Sequence, residues 1–154
     1  MDKRGFIKVV SVAMLGAGLW FAAVAPSVAA TTPPTLKGVT VVGPAEVKKI
    51  QDAGGAIIDT RVTVEFTEKT IKGAKGVFYR EKSPKDVNFD ASIDSFDLGK
   101  LPADKSVPVV FFCNGAECWK SYKAAVLALK AGHTKVYWFR DGLPAWIKAG
   151  LPTQ

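Results

Sequence analysis

The stretch Val107-Pro108-Val109-Val110-Phe111-Phe112 is apolar on both faces and runs directly into Cys113. A strand that is hydrophobic on both sides belongs at the centre of a sheet covered on both faces, which is the habit of parallel sheets in α/β proteins. The residues after it agree. A short loop leads to a helix read over 121–131, with Tyr122, Ala125, Val126 and Leu129 on one face and Gly132 behind it. Further strands read at 39–42, at 56–59 with Asp59 at its end, at 77–79 and at 135–139. Gly43-Pro44 opens a helix whose apolar face is Val47, Ile50 and Ala53 and which Gly54-Gly55 stops. A helical turn reads over 64–68 and a last helix over 144–148. Strand and helix in alternation predict an α/β fold, with a mainly parallel central sheet and helices on both faces. The polar segment 80–105 shows no decisive period, although Phe89, Ile93, Phe96 and Leu98 are candidate anchors for a short helix.

The start of the chain stands apart. Lys3, Arg4 and Lys8 precede an uncharged apolar run to about Ala25, then Pro26 and the small-residue exit Ser27-Val28-Ala29-Ala30. Charged start, apolar middle and small-residue end predict a secretory signal peptide over 1–29, cut after Ala29 or Ala30. The alternative is an uncleaved membrane anchor. Residues 30–38, with Pro33-Pro34, read as a short stiff linker, and 39–154 as one domain. A periplasmic or secreted location is expected, with membrane contact only if the signal is retained.

Loss of the signal removes Lys3, Arg4, Lys8 and Asp2, which takes the formal charge from +7 to +5. The remaining basic residues, Lys120, Lys123 and Lys130 among them, are scattered and form no stripe interleaved with aromatics. That is a solvated surface, and no nucleic-acid partner is expected. Two cysteines and one histidine exclude a disulfide-dense scaffold and a closed zinc site of Cys and His alone. No metal site is expected.

Loops that follow the strands of such a sheet share one edge, where ligands bind. By connectivity this edge holds Asp59-Thr60-Arg61, Cys113 to Lys120, and Arg140-Asp141-Gly142. His133 follows a helix that carries the chain back about 16 Å, at ~1.5 Å per residue. It reads as a surface residue and a poor general base for Cys113. Cys113 lies between a buried strand and a helix N-terminus, where partial positive charge favours the thiolate, the nucleophilic form. Asn114, Gly115 and Ala116 are small or flexible enough for their loop to curl with its N–H groups inward. Cys118, five residues on, reads either as a resolving thiol for Cys113 or as a packing residue under Trp119; the sequence leaves both open.

Several motifs then fall in one order. Ile57-Ile58-Asp59-Thr60-Arg61 is followed by Val64-Glu65-Phe66 and Ile71-Lys72-Gly73-Ala74. Phe111-Phe112-Cys113 leads through a glycine-containing loop to Ser121, Ala124 and Ala125. Val136-Tyr137, Asp141-Gly142-Leu143-Pro144-Ala145-Trp146 and Ala149-Gly150-Leu151-Pro152 close the chain. Across residues 40–152 this ordered set resembles the rhodanese-like family of sulfurtransferases. The resemblance implies a single rhodanese-like domain without a cofactor, in which Cys113 is the catalytic cysteine. It implies that Cys113 takes a sulfane sulfur from a small donor such as thiosulfate, holds it as a persulfide and passes it to a thiol or cyanide-like acceptor. It also implies a substrate-binding loop of Asn114, Gly115, Ala116, Glu117, Cys118, Trp119 and Lys120, with Asp59 and Arg61 in support. A monomer is expected.

The sequence departs from the family pattern in three places. Cys118 stands where many members carry a basic residue, and Lys120 is nearest that role. Glu117 adds negative charge beside the sulfur, which disfavours a thiolate and an anionic donor. Asp141 replaces the first of two glycines. These departures argue against efficient thiosulfate:cyanide transfer and leave room for a persulfide carrier. They also leave a non-catalytic binding module of this fold and a Cys113–Cys118 thiol–disulfide switch as alternatives. A phosphatase-type loop would need an Arg to grip a tetrahedral oxyanion, and no Arg lies between Cys113 and Arg140.

Overall fold

Strands and helices alternate along residues 30–154, the part of the chain that the computed structural model describes. The expected signal peptide lies outside these residues. In chain order the elements are β1 (Thr40–Val41), α1 (Pro44–Asp52), β2 (Ala56–Asp59), α2 (Thr63–Glu68), β3 (Lys75–Gly76), β4 (Val109–Phe112), α3 (Trp119–Lys130), β5 (Val136–Phe139) and α4 (Gly142–Lys148). The five strands form one sheet in the order β1-β5-β4-β2-β3, and every pairing is parallel. This is the expected α/β domain.

The period of two in the strands separates two apolar layers. Ile57, Val110 and Phe112 pack with Val47 of α1 and with Leu143 and Trp146 of α4. Ile58, Val109 and Phe111 point the other way and pack with Ala124, Ala125 and Ala128 of α3. Helices therefore cover both faces. The four residues of β4 are all buried, as its unbroken apolar run requires.

The register fixes the functional edge. Asp59 pairs with Phe112, and Phe112 with Phe139. Three strands thus end level, and the loops after them emerge side by side, as the connectivity predicts.

Four local expectations change. The third strand is at Lys75–Gly76 and not at 77–79. Val77 and Tyr79 still donate their N–H groups to Asp59 O and Thr60 O, but outside a regular ladder. The segment 80–105 holds no α-helix, only 3₁₀ turns at Ala91–Ile93 and Leu98–Lys100. His133 is buried, not on the surface; burial and the nearby Lys105 ammonium lower its pKa. Its Nε2 is 3.1 Å from Lys105 Nζ, before the start of β5 and so at the edge opposite Cys113. Lys123 is fully buried, not part of a solvated face.

Lys123 and Asp94 together hold the irregular segment. Lys123 Nζ donates to Ser83 O (3.1 Å) and Ser83 Oγ (2.7 Å) and pairs with Glu81 Oε2 at 2.9 Å. Asp94 accepts from the N–H groups of Lys82 and Ser83 and from the hydroxyls of Ser83 and Tyr79. Burial pushes the Asp94 carboxyl up, but these donors outweigh it and bring it down to about 2. A carboxyl held below its unfolded value of 3.8 stabilises the fold above that pH and loses the contribution as pH falls toward 2. Asp94→Asn is accordingly expected to cost about 2 kcal/mol at neutral pH. Urea midpoints of parent and variant should draw together as pH falls below about 4 and converge only near pH 2.

Candidate active site

Cys113 follows β4 directly and is 2% exposed. Its carbonyl accepts the N–H of Leu143 at 2.9 Å. Gly142 lies so close that a Cβ there would sit 2.1 Å from Cys113 O and 2.9 Å from Gly115 N. Its φ of +63° is also left-handed. The start of α4 is therefore seated against the base of the cysteine loop, and only a glycine fits the contact. Asp141, the departure noted above, has φ −74° and ψ −15°, ordinary right-handed backbone that needs no glycine.

Cys113 is joined to Cys118 in a disulfide, with Cα atoms 6.1 Å apart, inside the range a bridge allows. The sequence leaves Cys118 as either a resolving thiol or a packing residue; the structure bonds its sulfur to that of Cys113. Cys118 is also the N-cap of α3 and is half-buried, whereas Cys113 is buried. The N–H groups of Asn114, Gly115, Ala116 and Glu117 donate to no acceptor among the described residues. Cys118 N–H closes the loop on Gly115 O at 3.1 Å.

Beside the loop lies a cleft of about 270 Å³ lined by Glu81, Lys85, Asn114, Glu117, Cys118, Trp119 and Lys120. It brings together five of the expected loop residues. Gly115, Ala116 and the Cys113 side chain do not line it. Glu81 and Glu117 line it together with Lys85 and Lys120, so the cleft carries both signs of charge. Trp119 is nearly buried, packs edge-to-face on Tyr122 with centroids 5.2 Å apart, and donates Nε1–H to Ala30 O at 2.6 Å.

Asp59 and Arg61 lie behind the loop, not in the cleft. Arg61 Nε and Nη2 reach both Asp59 oxygens, and Nη1 donates to Asn114 Oδ1 at 3.4 Å. Thr70 Oγ1 donates to Asp59 Oδ2 at 2.7 Å, and Asn114 Nδ2 to Glu65 Oε1. The guanidinium thus spans the loops after β2 and β4 with its charge already paired.

Sequence reasoning missed the segment before the first strand. Residues 30–38 are not a free linker: Thr32 is 2% exposed, and Arg140 Nη2 donates to Thr32 O at 2.8 Å. Nothing in Thr31-Thr32-Pro33-Pro34 signals this, because its partners lie about a hundred residues away in the chain.

A parallel α/β domain with a cysteine loop at the carboxyl edge of its central strand defines a class of thiol-bearing domains. Residues 43–149 match the rhodanese-like domain, and the chain belongs to that family. Its fold resembles the Alr3790 protein of Anabaena (24% identity, TM-score 0.53, 73% of this chain and 90% of that one). It also resembles the homodimeric polysulfide-sulfur transferase of Wolinella succinogenes (20% identity, TM-score 0.55, 76% and 79%). Thiosulfate sulfurtransferase of Pseudomonas aeruginosa shares the fold at 22% identity and TM-score 0.51, over 75% of this chain and 20% of that protein. At these identities the likeness is one of fold. No curated protein matches the chain. At the level of the family, a sulfurtransferase-type function is supported.

Proposed function

We propose that this chain moves a sulfane sulfur through a persulfide on Cys113 and that Cys118 is the resolving thiol. The observation that carries this reading is the disulfide, which puts the two sulfurs within bonding reach in the cysteine loop of a rhodanese-like domain. The oxidised form must first be opened. A dithiol reductant attacks Sγ of Cys118, the more exposed sulfur, and Cys113 leaves as thiolate. A second attack within the reductant frees Cys118 and carries two electrons into the pair. The Cys113 thiolate then attacks the outer sulfur of thiosulfate. The sulfur–sulfur bond of the donor breaks, sulfite departs with the electron pair, and Cys113 carries a persulfide.

Two fates follow. A thiol or cyanide-like acceptor takes the outer sulfur and restores the Cys113 thiolate. Alternatively, the Cys118 thiolate attacks Sγ of Cys113, expels hydrosulfide and re-forms the disulfide. The unused loop N–H groups from Asn114 to Glu117 suit an anionic donor, whereas Glu117 opposes one, so slow turnover with thiosulfate and cyanide is expected. Export to an oxidising compartment is the setting in which such a pair closes readily.

The disulfide also favours a second reading, a thiol–disulfide switch without sulfur transfer. Intact mass separates the two. The Cys118→Ser chain, in which no second thiol can resolve a persulfide, should gain one sulfur when incubated with thiosulfate or a polysulfide, and Cys113→Ser should gain none. Absence of any adduct from every donor would leave the switch as the function.

A further inference from the structure

Residues 30–34 lie outside the matched family region but are bonded to the cysteine loop, whose two halves are held from different places. In the first half, Cys113 O accepts from Leu143 N–H, and Asn114 bonds to Arg61 and Glu65. Those partners belong to the matched domain. The second half turns to the strap. Thr32 donates twice to Ala116 O, through its N–H (2.8 Å) and its hydroxyl (2.7 Å). Trp119 Nε1–H donates to Ala30 O at 2.6 Å. Among the described residues, no other hydrogen bond joins residues 116–119 to a distant part of the chain.

The strap is itself anchored. Arg140, the residue after β5, donates from Nη2 to Thr32 O at 2.8 Å. Its Nε–H is shared between Thr32 Oγ1 (3.2 Å) and Pro33 O (3.1 Å). Cys113 is fixed by the end of β4, so the hold on the far half of the loop decides where Cys118 lies. Ala116 is two residues before Cys118 and Trp119 directly follows it. The strap therefore grips the chain on both sides of Cys118, in the arrangement that bonds its sulfur to Cys113. Once the disulfide is opened, the covalent link no longer restrains the loop. The effective concentration of one thiol toward the other then depends on the non-covalent contacts that remain.

We propose that Thr32 is a positioning residue for Cys118: the strap of residues 30–34 clamps the second half of the loop and so favours closure of the Cys113–Cys118 disulfide. The inference rests on the proposed opening and closing of this pair, but not on sulfur transfer.

The test equilibrates the full chain in buffers of reduced and oxidised glutathione, with no sulfur donor present. One glutathione thiolate attacks Sγ of Cys118, and Cys113 leaves as thiolate. A second glutathione thiolate attacks the glutathione sulfur of the mixed disulfide, so Cys118 is freed and oxidised glutathione forms. Two electrons enter the pair. Alkylation of the free thiols followed by intact mass gives the equilibrium constant. Thr32→Val removes the hydroxyl, and its disulfide should be about fivefold easier to reduce, the weight of one ordinary hydrogen bond. Thr32→Ser keeps the hydroxyl and should stay within about twofold of the parent. Gly150→Ala, strained at a left-handed φ where the added Cβ meets nothing within 4 Å, controls for a general loss of stability and should leave the constant unmoved. An unmoved constant in Thr32→Val, or a shift toward the disulfide, overturns the proposal. So does an equal shift in Thr32→Ser or in Gly150→Ala. If Thr32→Val does not fold by circular dichroism, Arg140→Lys is read in its place, since it loosens the strap without touching the loop and keeps the charge. Its disulfide should also become easier to reduce, and an unmoved constant overturns the proposal. A shifted constant in a chain that never loads sulfur would keep the clamp and remove sulfur transfer. Sulfur loading with an unmoved constant would do the reverse.

Discussion

Gly142→Ala is expected to destabilise the domain by at least about 3 kcal/mol and to disorder the cysteine loop first. A left-handed φ alone costs an alanine about 1 kcal/mol. The larger part is steric, because the new Cβ would lie 2.1 Å from Cys113 O and 2.8 Å from Cys113 C. Both are backbone atoms at the end of the most deeply buried strand, so neither yields without moving β4 or α4. Gly150→Ala separates the two contributions. Gly150 has φ +68° but nothing within 4 Å of its added Cβ, so that variant should lose only about 1 kcal/mol. Urea midpoints for the pair, with the slope held common, give the difference directly. Equal losses at the two sites would show that the α4–Cys113 contact carries no special weight.

The same contact shows how far the sequence could be read. The apolar run before Cys113 and the glycines that stop α1 and α3 are local signals, and they fix the alternation of strand and helix. The parallel register then brings Asp59, Phe112 and Phe139 level, so the three loops of the functional edge were legible from connectivity alone. Arg61 was legible as a brace only through the family pattern. What stayed hidden depends on partners distant in the chain. Lys123 looks like any helix lysine, and only Glu81 and Ser83 folding over it explain its burial. His133 is covered through Lys105, which no local pattern links to it. Thr32 next to Pro33-Pro34 carries the composition of a linker, and its burial comes from Ala116 and Arg140. Cys118 was ambiguous for a different reason: spacing on a loop bounds the sulfur distance without setting it.

Cys118→Ser should change the product of the reaction, not merely its rate. In the parent, a persulfide on Cys113 has a thiol close enough to bond to its inner sulfur, as the disulfide demonstrates. Intramolecular attack of this kind benefits from an effective concentration far above that of any free thiol. The reduced parent, given one equivalent of donor, should therefore release hydrosulfide and return to the disulfide, with little persulfide remaining. In Cys118→Ser the attacking sulfur is gone, and the hydroxyl is too weak a nucleophile at neutral pH to replace it. The persulfide should then persist, at an occupancy at least about tenfold above the parent, until an external thiol or cyanide removes it. Hydrosulfide release in the absence of acceptor should fall by a similar factor. One sample serves both readings: intact mass reports the added sulfur, and thiol titration reports the disulfide. Equal persulfide occupancy in parent and variant would remove Cys118 from the sulfur-transfer cycle and leave its bond to Cys113 as an off state alone. The direction of the change matters more than its size, because a purely structural Cys118 predicts a less stable loop and less persulfide, the reverse of what resolution predicts.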